Sequence, residues 1–178
     1  DSALGTATTA TENVAIGSDA MSLVQAGQAI TGVVAIGQNA LKGGSTTTGV
    51  NGAIAIGKDS LKALTTGINS IAIGFEAQMS QTTGNRNTVI GHSAMRTADG
   101  GEDFNTVVGS EAGYYINNDA SHDNVIIGKN ALQGGTGTIL GNVAIGSGVM
   151  EDVSNSSQTG TVGIGFDALT KLTTGGQN

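Results

Sequence analysis

A five-residue phrase, NVAIG at residues 13–17, returns in varied form nine times along this chain and closes on Gly17, Gly37, Gly57, Gly74, Gly91, Gly109, Gly128, Gly146 and Gly165. Successive glycines lie 17 to 20 residues apart. So short and steady a period predicts one unit, a constant strand plus a variable loop, stacked along a line as in a solenoid. Any function has to be built on that scaffold.

Composition agrees with a stacked sheet and argues against a conventional core. The 178 residues include 30 glycines and only five aromatic side chains, with no tryptophan and no proline. A proline would delete a ladder hydrogen bond, and average usage of about 5% would place roughly nine in this length. With no cysteine, disulfides and thiolate metal sites are excluded. Seven basic residues stand against fourteen acidic ones, a net charge of −7 without a basic cluster. That balance disfavours nucleic acid as a partner. No apolar run approaches the roughly 18 residues of a membrane helix, so membrane insertion is not expected. The chain reads as a single repeat domain over residues 1–178. It begins without methionine, and its closing LTTGGQN resembles LTTGINSIAIG at residues 64–74 with the strand missing. It is therefore read as a piece of a longer protein.

Aligned on the glycine, the position three before it is β-branched in every copy: Val14, Val34, Ile54, Ile71, Thr88, Thr106, Val125, Val143 and Val162. The position one before it is Ile16, Ile36, Ile56, Ile73, Ile90, Val108, Ile127, Ile145 and Ile164. At period two these share one strand face, expected to point into the coil. Four residues after the glycine stand Met21, Leu41, Leu61, Met95, Leu132, Met150 and Leu169, with Gln78 and Gly113 as exceptions; this second apolar site is expected to close the same interior. The residue between the β-branched pair would then face outward. It is Ala15, Ala35, Ala55, Ala72, Val89, Val107, Ile126, Ala144 or Gly163, never polar. A strand with one wet face should alternate apolar and polar residues. Both faces here are dry, so the expectation is that Ala15, Ala35, Ala55, Ala72, Val89, Val107, Ile126 and Ala144 form an interface between copies of the chain. Asparagine precedes the strand at Asn13, Asn87, Asn105, Asn124 and Asn142, which predicts a side-chain bond to the backbone or a ladder of stacked amides. The glycine itself predicts positive φ or close approach of stacked backbones.

The segments LKALTTGINSIAIG, NTVIGHSAM and NVIIGKNAL resemble the NTAIG-x-x-AL repeats of bacteriophage tail fibres and related tail-fibre-domain proteins, and the likeness covers nearly the whole chain. A shorter form, NSVAIG-x-x-S, characterises the head domains of trimeric autotransporter adhesins. That second resemblance implies a left-handed parallel β-roll, here an all-β β-solenoid of about nine coils, assembled as a homotrimer. The units of this chain are longer and less regular than the adhesin repeat, which favours the phage relation.

Partner contacts are expected in the loops, which vary while the strands do not. The richest is YYINNDASHD at residues 114–123. Its Tyr114, Tyr115, Asn117, Asn118, Asp119, His122 and Asp123 offer the aromatic face and planar polar groups that suit a sugar; alternatively, a tyrosine covers the edge of its coil and the rest are solvated. Asp99, Glu102 and Asp103 in ADGGEDF offer hard oxygen ligands of the kind calcium takes, but match no EF-hand spacing, and a solvated acidic turn is the stronger reading of them. The two histidines, His92 and His122, form no ligand pair. No nucleophile elbow or Walker loop is present. The reading is of a non-enzymatic structural and receptor-binding segment of a phage tail fibre, with no cofactor and no assigned metal ligand, located on the virion tail. Its expected partners are a bacterial surface glycan or protein and other fibre modules. The alternatives are the head of a bacterial trimeric adhesin at the cell surface, an ice-binding solenoid prompted by Thr46 to Thr48 and the Thr65–Thr66 pair, and a capsule depolymerase.

Overall fold

The computed structural model describes residues 11–23, 29–44, 48–153, 156–172 and 175–176. They form a parallel β-solenoid, all-β and without a helix. Its strands in chain order are β1 (Val14–Ile16), β2 (Val34–Ile36), β3 (Ile54–Ile56), β4 (Ile71–Ile73), β5 (Thr88–Ile90), β6 (Thr106–Val108), β7 (Val125–Ile127), β8 (Ile139–Leu140), β9 (Val143–Ile145), β10 (Gln158–Thr159), β11 (Val162–Ile164) and β12 (Gly175–Gly176). Nine of them, one from each copy of the repeat, make a single sheet in the order β1-β2-β3-β4-β5-β6-β7-β9-β11, and β12-β10-β8 make a small second sheet. Pairing is in register throughout, so equivalent residues of the repeat lie directly over one another, as Ala55 does with Ala35 and Ala72.

The strands stop after three residues because the glycine that follows turns the chain. All nine repeat glycines have φ between +123° and +146°. Packing adds a second constraint: a methyl group on Gly91 would lie 2.6 Å from the carbonyl carbon of Gly109 on the next turn, with the carbonyl oxygen closer still. Both expected roles of the glycine are present together. Three further corners are left-handed. Asp19, Asn39, Asp59, Glu76, Ser93, Glu111, Asn130 and Asp167 all have positive φ two residues after the glycine, and so do the apolar residues four after it, such as Leu41 and Met95. The third corner, just before the asparagine row, includes Asn69, Arg86, Phe104 and Asp123. Asp and Asn tolerate this conformation through local hydrogen bonds. Leucine and methionine do not, and there the burial of a large side chain has to offset the backbone cost.

Which strand face points inward reverses the sequence-based expectation. The middle residue of each strand is the interior one. Ala35, Ala55, Ala72, Val89, Val107, Ile126 and Ala144 are fully buried within a single chain, and Ala15 packs against the same core at its edge. These eight residues are therefore core, not an interface between copies. The β-branched neighbours on either side point out and are half-buried or exposed, reaching 58% for Ile16 and 66% for Ile164. The reason is volume. Met21, Leu41, Leu61, Met95, Leu132 and Met150 fill the narrow interior from the facing corner, and Ile30, Val50, Leu64, Ile116, Ile139 and Val153 fill it from the loop side, all fully buried. With two walls contributing large side chains, the strand wall has room mainly for alanine. Where the strand residue grows to Val107 and Ile126, the facing corner shrinks to Gly113. A methyl there would meet Ile116 Cδ1 at 3.2 Å, and Ile126 Cδ1 and Val107 Cγ1 at 3.6 Å.

The asparagine row forms both structures anticipated for it. Asn105 Oδ1 accepts from the backbone N–H of Asn124 at 3.1 Å and from its Nδ2 at 2.8 Å. Asn124 Oδ1 accepts likewise from Asn142, at 2.9 and 3.1 Å. Each amide also donates to a backbone carbonyl of the following turn: Asn87 to Glu102, Asn105 to Ser121, Asn124 to Ile139 and Asn142 to Gln158. Asn87, Asn105, Asn124 and Asn142 are buried, so this ladder satisfies polar groups that water does not reach.

Candidate functional site: an acidic cleft between two turns

Loops 99–104 and 118–123 belong to consecutive turns, and the register of the sheet lays one against the other. Between them is a cleft of about 340 Å³ lined by Gly101, Asp103, Phe104, Asp119, His122 and Asp123. Asp123 and Phe104 stand at left-handed corners. Phe104 is half exposed and lies 5.4 Å from the Arg86 guanidinium, a cation–π contact that fixes its ring. His122 Nδ1 and Asp123 Oδ2 are 2.8 Å apart, both exposed. Asp103 is turned toward the preceding turn, where its Oδ1 accepts from the backbone N–H of Asn85 at 2.6 Å and from Asn85 Nδ2 at 3.3 Å. Asp119 Oδ1 accepts from the backbone N–H of Gly101 at 3.2 Å, which pins the loops together.

Behind the cleft is a buried polar group that the repeat does not explain. Gln78 occupies a core position held in all but one of the other turns by leucine or methionine, and its Nε2 donates to Gln81 Oε1 at 3.0 Å. Gln81 Nε2 in turn donates to the Gly100 carbonyl and, at 3.1 Å, to Glu102 Oε2. Glu102 is fully buried. Burial pushes its carboxyl above the usual range and the charge of Asp119 adds to this, while hydrogen bonds from Gln81 and from the Gly100 N–H act the other way.

The structure divides the sequence-derived candidates. Asp119, His122 and Asp123 line the cleft; Tyr114 and Tyr115 do not. The tyrosines meet edge to face at 4.6 Å, and the Tyr114 hydroxyl is 3.1 Å from Arg96 Nη1, whose Nε contacts Glu76 Oε2 at 2.6 Å. Glu76, Arg96 and Tyr114 thus run as a side-chain ladder over three turns. Asn118 is structural: its Oδ1 accepts from the Ala120 N–H at 3.0 Å and its Nδ2 donates to the Thr136 carbonyl at 3.1 Å. Asn117 is half-buried and does not line the cleft. His92 stacks on Phe75 at 5.4 Å, away from the acids. Of the acidic set Asp99, Glu102 and Asp103, the third belongs elsewhere, and Asp119 from the next turn takes its place beside Asp99 and Glu102. Sequence reasoning missed this exchange and missed Phe104. Laying one turn over the next on the repeat glycine is the signal that finds both.

Chemically, the cleft offers carboxylates and an imidazole to hydroxyl groups and one aromatic face to a sugar ring. Its acidity disfavours anionic ligands. Threonine occupies the outward ranks of the large sheet only at Thr88 and Thr106; of the loop threonines, Thr46 and Thr47 lie outside the described residues, and Thr48, Thr65 and Thr82 follow one another on successive turns, the Thr48 N–H donating to the Thr65 carbonyl and the Thr65 N–H to the Thr82 carbonyl, both at 2.9 Å. Among the described residues no helix is long and apolar enough to cross a membrane. Comparison with protein-family models, curated proteins and solved structures gives no match for this chain.

Proposed function

We propose that this segment is part of a phage tail fibre, a left-handed shaft of about nine coils in which three copies associate and display the loop cleft to a bacterial surface receptor. The observation that carries this reading is the outward double rank of the large sheet. Val14, Val34, Ile54, Ile71, Thr88, Thr106, Val125, Val143 and Val162 form one line and Ile16 through Ile164 the other, in register over nine strands. Nine strands at about 4.8 Å give a stripe roughly 40 Å long and on the order of 400 Å² in area, of the size that marks interaction surfaces. It is repetitive and uncharged, so another copy presents the same surface at the same spacing. Association through it stiffens the shaft and multiplies a weak loop site threefold. The segment acts by holding a ligand rather than by turning one over.

Two measurements test this. Light scattering should give three times the 17.5 kDa of one chain, and the double substitution Ile73→Asp with Ile90→Asp should yield a folded single chain, because both side chains point outward. A native mass of one chain would refute the assembly. Binding of the intact assembly to a bacterial glycan array or to host cells, lost on Phe104→Ala, tests the receptor role. Absence of any surface recognition would reduce the segment to a spacer.

A further inference from the structure

We propose that Asp99, Glu102 and Asp119 bind a calcium ion that clamps two consecutive turns at the back of the cleft. One carboxylate oxygen from each of the three lies within 4.8 Å of the others. Calcium–oxygen distances of 2.3–2.6 Å put ligands on opposite sides of one ion at about 5 Å, so a single calcium reaches all three. The donors are all hard oxygens, with no imidazole or thiolate among them, which selects against zinc. Magnesium requires a tighter octahedron and keeps more of its water.

A second observation points independently to a cation. Glu102 is fully buried, and while its Oε2 accepts from Gln81 Nε2 and from the Gly100 N–H, both at 3.1 Å, its Oε1 has no hydrogen-bond partner. A buried carboxylate with one oxygen lacking a donor, clustered with two more carboxylates, is unfavourable as an anion unless a proton or a metal cation joins it, and a cation reached by all three acids neutralises them together. Among the described residues no lysine or arginine forms an ion pair with any of the three acids. The supports are already in place. Gln81 holds Glu102 from the preceding turn, the Thr82 hydroxyl donates to the Asp99 carbonyl, and the Gly101 N–H holds Asp119. The glycine pair Gly100–Gly101 lets the loop fold this closely, since a side chain on Gly100 would collide with the Asp119 carboxylate. The ion's remaining ligands are water and, on the cleft side, a position open to a hydroxylated ligand. This site stands apart from the receptor reading, and the test below uses calcium alone.

The experiment titrates calcium chloride into the full chain after chelator treatment, with calorimetry and thermal melting as readouts. One ion per chain should bind, with a dissociation constant on the order of 10⁻⁴ to 10⁻³ M for so open a site. At about a hundred times that concentration the melting temperature should rise by roughly 5–10 °C and fall back with chelator. Glu102→Gln and Asp119→Asn should each remove the calcium-dependent rise, and Glu111→Gln should retain it. Asp119 is exposed, so its variant keeps the test decisive even if Glu102→Gln fails to fold. No heat and no shift at about 10 mM calcium, an unchanged shift in Asp119→Asn, or an equal response to magnesium would each overturn the assignment.

Discussion

Replacing Gly91 with alanine is expected to destroy the cooperative melting of the solenoid, with a loss above about 4 kcal/mol and a fall in Tm of roughly 10 °C or more. Two effects coincide at this position. The φ of +146° is one that L side chains rarely adopt, and the new methyl would sit against the Gly109 peptide at 2.6 Å from its carbonyl carbon. None of the atoms it meets belongs to a flexible side chain, so relief requires the two turns to part, which breaks the ladder bond of Gly109 N–H to Ile90 O at 2.8 Å. Gly165→Ala separates the two effects. Gly165 shares the positive φ, at +123°, but a methyl on it would meet only Ala168 Cβ at 3.9 Å. Its cost should be the backbone strain alone, about 1–2 kcal/mol. Thermal denaturation of both variants checks the pair; equal losses would show that close stacking of the turns is not what the glycine serves.

Asn124→Ala is expected to cost about 2–5 kcal/mol. Asn124 Nδ2 donates to Asn105 Oδ1 at 2.8 Å and to the Ile139 carbonyl at 2.7 Å, and its Oδ1 receives the Asn142 N–H at 2.9 Å. Truncation leaves the Ile139 carbonyl without this donor and the Asn142 N–H without this acceptor. Each buried orphan costs about 1–3 kcal/mol, more than the hydrogen bond contributed when made. Asn124→Asp should be worse than alanine, because it loses both donors and sets a carboxylate against Asn105 Oδ1. Urea denaturation should show a lower midpoint for both variants. A midpoint like that of the parent protein would mean that the ladder is decorative.

Much of this architecture was legible in the residues. The glycine period gave the turn, the asparagines gave the ladder, and the leucines and methionines four after the glycine gave one wall of the core. The direction of the strand faces was not legible from polarity. In V-A-I both sides are apolar, so the pattern fixes the two-residue period but not which side is inside. Side-chain volume decides it: a turn of 17 to 20 residues encloses too little space for Val34 and Ile36 together with Leu41, whereas Ala35 with Leu41 fits. The left-handed corners at Leu41 and Met95 were hidden for a different reason, since neither residue type advertises that conformation. The cleft was half visible. Asp119, His122 and Asp123 were singled out by loop composition, but the two tyrosines drew attention to a separate ladder with Arg96. The approach of Asp99 and Glu102 to Asp119 is long-range in the chain and emerges only when adjacent turns are superposed.

The in-register sheet has an evolutionary corollary. Every strand of the large sheet between its two edges bonds to one predecessor and one successor in the same way, so the gene can lose or duplicate the codons of one winding and the remainder will still meet edge to edge. Excising the stretch from Gly91 to just before Gly109 would remove β6 and bring Ile90 against Ile127 in the pairing Val108 now occupies. Reach and loop repertoire are thereby free to diversify by recombination between lineages, with no redesign of the scaffold that carries them.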